Sequence, residues 1–378
     1  MNLAINALSA LQGGGQSYLL NLLRYAKNFP DIKIYVFSPP QFARLYDFPE
    51  VNVIPCITPS KNILYRVLWE KRKLPEIVKE LEVDMVFSPG GIMNSSLNEC
   101  LTIVTFQNMI IFETYERKRF SPLSYIRWRL KLLERASRNS FKTASLVIFL
   151  SDYAKKIIDK KVPDRKGLSI IIPHGLDDKF RTAERNDIPR LKFLPEDYLL
   201  YVSVLDFYKA QIEVIQAYHK LCQKRQTKEK LLLVGPEYAP YGKLVRKEIE
   251  RFGLQDKVII TGQIPYADMP SVYHHAKAHI FASSCENCPN IVIESLGSGK
   301  PLFLSNKPPM PELAGDAVVY FDPYNPEELT NLLFRYLDDE QQMKEMGEKA
   351  YERSCHYSWE DAAEKTFQAF WDLYKIKS

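Results

Sequence analysis

Short apolar runs bounded by glycine, proline and polar residues recur along this chain, separated by longer stretches with amphipathic spacing. Residues 3–8, 32–37, 85–88, 101–106, 146–150 and 168–172 read as strands. Residues 16–29 read as a helix with Leu19, Leu20, Leu22 and Leu23 on its buried side, and further helices fall near 63–81, 122–142 and 153–160. The run Ile172-Pro173-His174-Gly175 closes this series, and the charged, proline-containing stretch 178–197 reads as a linker. The alternation then restarts, with strands at 199–204, 230–234, 257–261, 278–282, 301–304 and 318–321 and helices near 209–225, 241–252, 268–276, 290–298 and 326–353. Strand and helix in strict alternation predict an α/β protein built from doubly wound parallel sheets, one in 1–175 and one in 176–357. An amphipathic stretch from Ser358 to Tyr374 follows the second series.

A length of 378 residues suits two domains of ordinary size. Hydrophobic content of 46% with 26% charged residues is that of a globular protein, and no run approaches the ~18–20 apolar residues of a membrane span. The N-terminus has no basic region ahead of an apolar one, so it does not read as a signal peptide, and a cytoplasmic location is expected. The six cysteines are scattered, which fits a reducing compartment. Cys285-x-x-Cys288 lacks the second pair that zinc requires, and His274, His275 and His279 lack the glutamate of a zinc-protease helix. No metal is expected.

The net charge of +5 matters most for where it sits. Residues 115–142 hold nine basic and two acidic residues, an excess of seven. On a helical wheel Arg127, Lys131, Arg135, Arg138 and Lys142 span about 80°, at ~100° per residue, with Trp128 among the flanking apolar residues. Such a face suits an anionic membrane surface and predicts peripheral attachment. A nucleic-acid motif does not accompany it.

The most informative string is Phe281-Ala-Ser-Ser-Cys-Glu286-Asn287-Cys-Pro289-Asn290-Ile291-Val-Ile-Glu294, running to Gly299-Lys300-Pro301. It reads as strand, loop and short buried helix, with Pro289 at the first helical position and Gly299 closing the helix. Ligands of open α/β sheets sit beyond the carboxyl ends of strands, where helix amides face anions. One loop therefore offers amides suited to a diphosphate and two carboxylates suited to hydroxyls, which is what a nucleotide-sugar needs. Lys209, after the strand that opens the second half, adds an ammonium suited to a departing diphosphate.

The string resembles the E-x7-E motif of the retaining family-four glycosyltransferases, which have the GT-B fold. The resemblance implies two Rossmann-like domains facing across a cleft, an acceptor domain (1–175) rejoined by the last helix (358–378) and a nucleotide-sugar donor domain (176–357). Carried over residue by residue, it gives catalytic roles to Lys209, Glu286 and Gln107, with Glu286 and Asn287 on the donor sugar. Pro289, Asn290 and Ile291 surround sugar and phosphates, and Glu294 takes the ribose hydroxyls. Gly235, Pro236 and Ile264 fall at the nucleobase pocket. Gly13, Gly14 and Gly15, with Asn108, form the acceptor and phosphate loop. Two positions depart from the pattern: Val204 stands where the family commonly has an arginine, and Gln107 where many relatives have a histidine.

The implied activity is metal-independent transfer of a hexose, GDP-mannose being the expected donor, to a glycan or polyprenyl-diphosphate-linked acceptor of a surface polysaccharide. No cofactor beyond that co-substrate is implied. A catalytically degenerate GT-B binder of glycan or lipid is the alternative, for which Val204 and Gln107 speak. A dinucleotide-dependent oxidoreductase lacks its glycine fingerprint, since Tyr18 stands where the third glycine belongs.

Overall fold

The computed structural model describes residues 1–10, 14–95, 97, 100–182 and 191–377. The chain forms two compact units, Met1–Gly175 with Ser358–Ser378, and Leu176–Tyr357. The first is built on seven parallel strands: β1 (Asn2–Asn6), β2 (Lys33–Ser38), β3 (Val51–Pro55), β4 (Met85–Ser88), β5 (Leu101–Phe106), β6 (Leu146–Phe149) and β7 (Leu168–Ile171). Their order is β3-β2-β1-β4-β5-β6-β7. The second has six, β8 (Tyr198–Val202), β9 (Lys230–Val234), β10 (Val258–Gly262), β11 (Ala278–Phe281), β12 (Leu302–Ser305) and β13 (Val319–Phe321), ordered β10-β9-β8-β11-β12-β13. Strand order reverses between β1 and β4 in one sheet and between β8 and β11 in the other, and crevices for ligands open at such reversals.

Four readings change. The strand β3 was hidden in the sequence because it lies at the sheet edge, pairing only with β2, half-exposed and carrying Asn52 and Pro55. An edge strand tolerates both, since its outer ladder is unpaired. The stretch 63–81 makes two helices, Ile63–Arg72 and Leu74–Glu80, because Pro75 lacks the N–H to continue the first. The stretch 326–353 likewise divides into Pro326–Tyr336 and Glu340–Ser354, with Asp339 capping the second through the Gln342 amide at 3.0 Å. The start of the supposed linker is structured core: Phe180, in the short helix Lys179–Thr182, is fully buried against Tyr273 and Tyr266. Arg181 fixes it by donating to the carbonyls of Ser354 and Tyr357 at 2.7 and 2.8 Å.

The last helix, Trp359–Lys377, belongs to the first unit. Phe367 and Phe370 are fully buried, their rings tilted against Phe29 at 4.7 Å and Phe87 at 5.3 Å. At its start Trp359 packs on His174, which stacks on Tyr18. A Cβ at Gly175 would stand 2.1 Å from the Trp359 backbone nitrogen, so only glycine admits the helix there. Gly175→Ala is therefore expected to destabilise the first unit by roughly 1–3 kcal/mol, as overpacking does, read as a lower urea midpoint. An unchanged midpoint would show that the helix start yields freely.

Candidate active site

The second sheet places two predicted residues side by side. After β8 the chain turns tightly through Phe207–Lys209 and passes Ala210 in the left-handed region at φ 53° before the helix Gln211–Lys224. Interior hydrogen bonds hold that turn: the Tyr201 hydroxyl donates to the Lys209 carbonyl, and Gln211 Nε2 donates to Ser203 Oγ at 2.8 Å and the Val204 carbonyl at 2.9 Å. The loop after β11 is stitched to the same turn by the Ser284 amide, which donates to the Tyr208 carbonyl at 2.8 Å. Lys209, only 6% exposed, consequently forms an ion pair with Glu286 across the β8/β11 reversal. Its ammonium also lies over the rings of Tyr208 and Phe281, at 4.9 and 5.4 Å. An ammonium this buried is held by one carboxylate and two aromatic faces.

Beyond Glu286 the loop enters the helix Asn290–Gly297. Pro289 is its N-cap, with ψ 114°, and not its first helical residue; the first turn begins at Asn290. The locked ring φ suits either position, and the amides of Asn290 and Ile291 fall in the first helical turn. Val292, Ile293 and Leu296 are fully buried, and Gly299 at φ +65° ends the element. Asn287 is buried in the loop.

Glu294 sits in the second turn, buried, and accepts from Tyr273 at 2.9 Å and Tyr266 at 3.2 Å. Burial pushes its carboxyl up to about 7, although both tyrosines oppose the shift. Lys179 lies 4.2 Å from the centre of the Tyr266 ring and pairs with Asp177 at 3.0 Å. Neither tyrosine was singled out in the sequence. Their role rests on packing between segments that carry no shared motif.

Gly235 and Gly262 adopt φ of 144° and 70°, joined by an amide-to-carbonyl bond of 2.9 Å. A Cβ on Gly235 would meet the Ser203 carbonyl at 2.1 Å, so β8, β9 and β10 converge at their carboxyl ends around glycine. Pro236 accepts from the Leu205 amide at 2.9 Å, and Ile264 is buried just beyond β10.

In the first unit Gly14 opens the helix Gly14–Arg24, and a Cβ on Gly15 would lie 3.2 Å from Gln107 Oε1. Gln107 therefore faces the start of that helix, and its buried Nε2 has no hydrogen-bond partner among the described residues. Gly13 lies outside the described residues, and Asn108 is exposed. Sequence reading missed a buried neighbour of the β1/β4 reversal, Glu70, which accepts from Asn6 at 2.8 Å and from Asn94. Burial raises its carboxyl above the ordinary range. Its partners are 64 and 24 residues away, so no local spacing announces them.

Among the described residues no group of three or more His, Cys, Asp or Glu is placed to hold a metal ion. His279 is buried, its Nε2 3.0 Å from the Tyr273 carbonyl, and desolvation lowers it to about 3. Among the described residues the six cysteines form no disulfide with one another.

Residues 183–353 match the family described as glycosyl transferases group 1. The second unit is a group 1 glycosyl transferase domain. The chain is 22% identical over 316 residues to the O-antigen chain mannosyltransferase B of Escherichia coli, covering 81% of this chain and 78% of that one. In structure it is similar to a sucrose-phosphate synthase from Thermosynechococcus elongatus, with a TM-score of 0.79, 18% identity and full coverage of both chains. It is also similar to Anabaena HepE in complex with UDP and glucose, at TM-score 0.76 and 17% identity over 98% of this chain and all of that one. The fold is thus that of GT-B glycosyltransferases. The Lys209–Glu286 pair, the Asn290 helix start and Glu294 all lie inside the group 1 glycosyl transferase domain.

Proposed function

We propose that this glycosyltransferase moves a hexose from a nucleoside-diphosphate sugar, with retention of configuration and without a metal ion, to a glycan or polyprenyl-diphosphate-linked acceptor of a surface polysaccharide. The observation that carries the reading is the buried Lys209–Glu286 pair at the strand-order reversal, beside the helix start at Asn290. A diphosphate is a better partner for that ammonium than one carboxylate, because it also takes the helix amides. Its arrival frees Glu286 to accept from the donor-sugar hydroxyls, with Asn287 alongside. Glu294 then takes the ribose hydroxyls, and the base lies against Gly235, Pro236 and Ile264. As the bond from the anomeric carbon to the phosphate oxygen breaks, Lys209 and the amides of Asn290 and Ile291 stabilise the growing charge. The acceptor hydroxyl attacks the same face and gives its proton to the leaving phosphate oxygen. Gln107, which cannot serve as a base, agrees with a mechanism in which the leaving phosphate takes the acceptor's proton. The likeness to a mannosyltransferase supports GDP-mannose as donor.

A second reading, a GT-B binder that has lost catalysis, draws on Val204 standing where the family commonly has an arginine. A thermal-shift panel of GDP, UDP, ADP, CMP and NAD, with and without magnesium, separates the two. GDP at ~100 times its dissociation constant should add about 2.7 kcal/mol to the folded state without metal. A shift with UDP alone would replace the donor, and silence from every nucleoside diphosphate would leave the binder.

A further inference from the structure

The helix Tyr125–Thr143 carries the densest positive charge of the chain, and the structure sorts its residues by direction. Its one acidic residue, Glu134, is turned inward, paired with Arg117 and with Arg138 at 2.8 Å. Arg138 further donates to the Lys161 carbonyl at 3.0 Å, and Arg127 to the Phe120 carbonyl at 3.3 Å. These two arginines, counted on the basic face from the sequence, are engaged with the protein itself, and Lys142 at the far end of the same face pairs with Asp164. What remains outward is basic, apolar or neutral. Trp128 is 55% exposed and Leu132 69%, and Leu123, in the turn before the helix, is 90% exposed. Arg129, Lys131 and Arg135 stand among them, with the Lys131 ammonium 4.6 Å over the Trp128 ring. Tyr125, Trp128 and Leu132 follow a three-then-four spacing, one stripe on one face.

The geometry points to this face as a docking surface for an anionic lipid bilayer. Bulky apolar side chains left in water beside cations, with the helix's own carboxylate turned inward, match an interface of acyl chains beneath negative headgroups. Lysine and arginine stems let the charges stay at headgroup level while Trp128, Leu132 and Leu123 enter. A basic nucleic-acid site has less use for a leucine stripe, since phosphates are met by cations and polar groups. The inference is independent of the donor and acceptor proposed above.

The test is flotation of the full chain with vesicles of phosphatidylcholine alone and of phosphatidylcholine with about a third phosphatidylglycerol. Binding to the second and not the first is expected, with a blue shift of tryptophan emission that Trp128→Phe removes. Replacing Arg129, Lys131 and Arg135 together by glutamine should weaken partition about a hundredfold, at roughly fivefold per basic residue. Trp128→Ala with Leu132→Ser should abolish the fraction of binding that survives high salt while leaving the melting temperature unchanged. Equal partition to neutral vesicles, no partition to anionic ones, variants that float like the parent, or capture by a DNA duplex without any vesicle binding would each overturn it.

Discussion

Lys209→Ala, still folded, should lose sugar transfer by about 10²–10³-fold in kcat, the scale seen when one preorganised group facing a developing charge is removed. The side chain is the buried cation at the reversal point of the second sheet, and its removal leaves Glu286 in that place with no counter-charge. Nucleotide binding should weaken too, because a lone carboxylate repels a diphosphate. Lys209→Arg separates charge from shape: the guanidinium keeps the positive charge but brings a wider, planar group beside Tyr208 and Phe281. Partial affinity with poor turnover is expected of it. Full transfer by the alanine variant would remove the ion pair from the mechanism altogether.

The second large effect is a pH dependence written by Glu294. Its carboxyl is raised to about 7 in the folded protein, against an unfolded value near 4.5. The native state therefore binds the extra proton between those values, and stability falls as pH rises through that window. The contribution is fully present below about pH 4.5 and gone above about 7, on the order of 3 kcal/mol for a shift of this size. Glu294→Gln should flatten that slope in urea titrations between pH 5 and 8. Ligand affinity runs the opposite way. Ribose hydroxyls donate best to the ionised carboxylate, so nucleotide affinity should rise about fivefold between pH 6 and 7, about tenfold between pH 6 and 8, and level off above that. Calorimetry in buffers of different ionisation heat should show a proton released on binding at pH 6. Affinity independent of pH would take Glu294 out of contact with the ribose.

Much of the architecture was legible because buried parallel strands read as plain apolar runs, and alternation with helices leaves few topologies. The strand Val51–Pro55 escaped because half of it faces water. Helix breaks at Pro75 and Asp339 were written in the chain but lay inside otherwise periodic stretches. In the candidate site, the spacing of Glu286 and Glu294 is a local signal, carried by one loop and one helix. The contact of Lys209 with Glu286 spans 77 residues and depends on which strands lie adjacent. The tyrosines on Glu294 and the amides on Glu70 are of the same kind. Their residue types are common, and only folded proximity gives them chemistry.

The return of the last helix to the first sheet sets a timetable for synthesis. Phe87 and Phe29 wait for Phe367 and Phe370, so the first unit cannot seal its interior until residue 370 has cleared the ribosome. The second unit is contiguous in the chain and can finish first, although more than a hundred residues of its neighbour are translated before it. Until then an apolar patch on the earlier-made sheet stays bare, and that nascent interval is where chaperone capture and aggregation compete with folding.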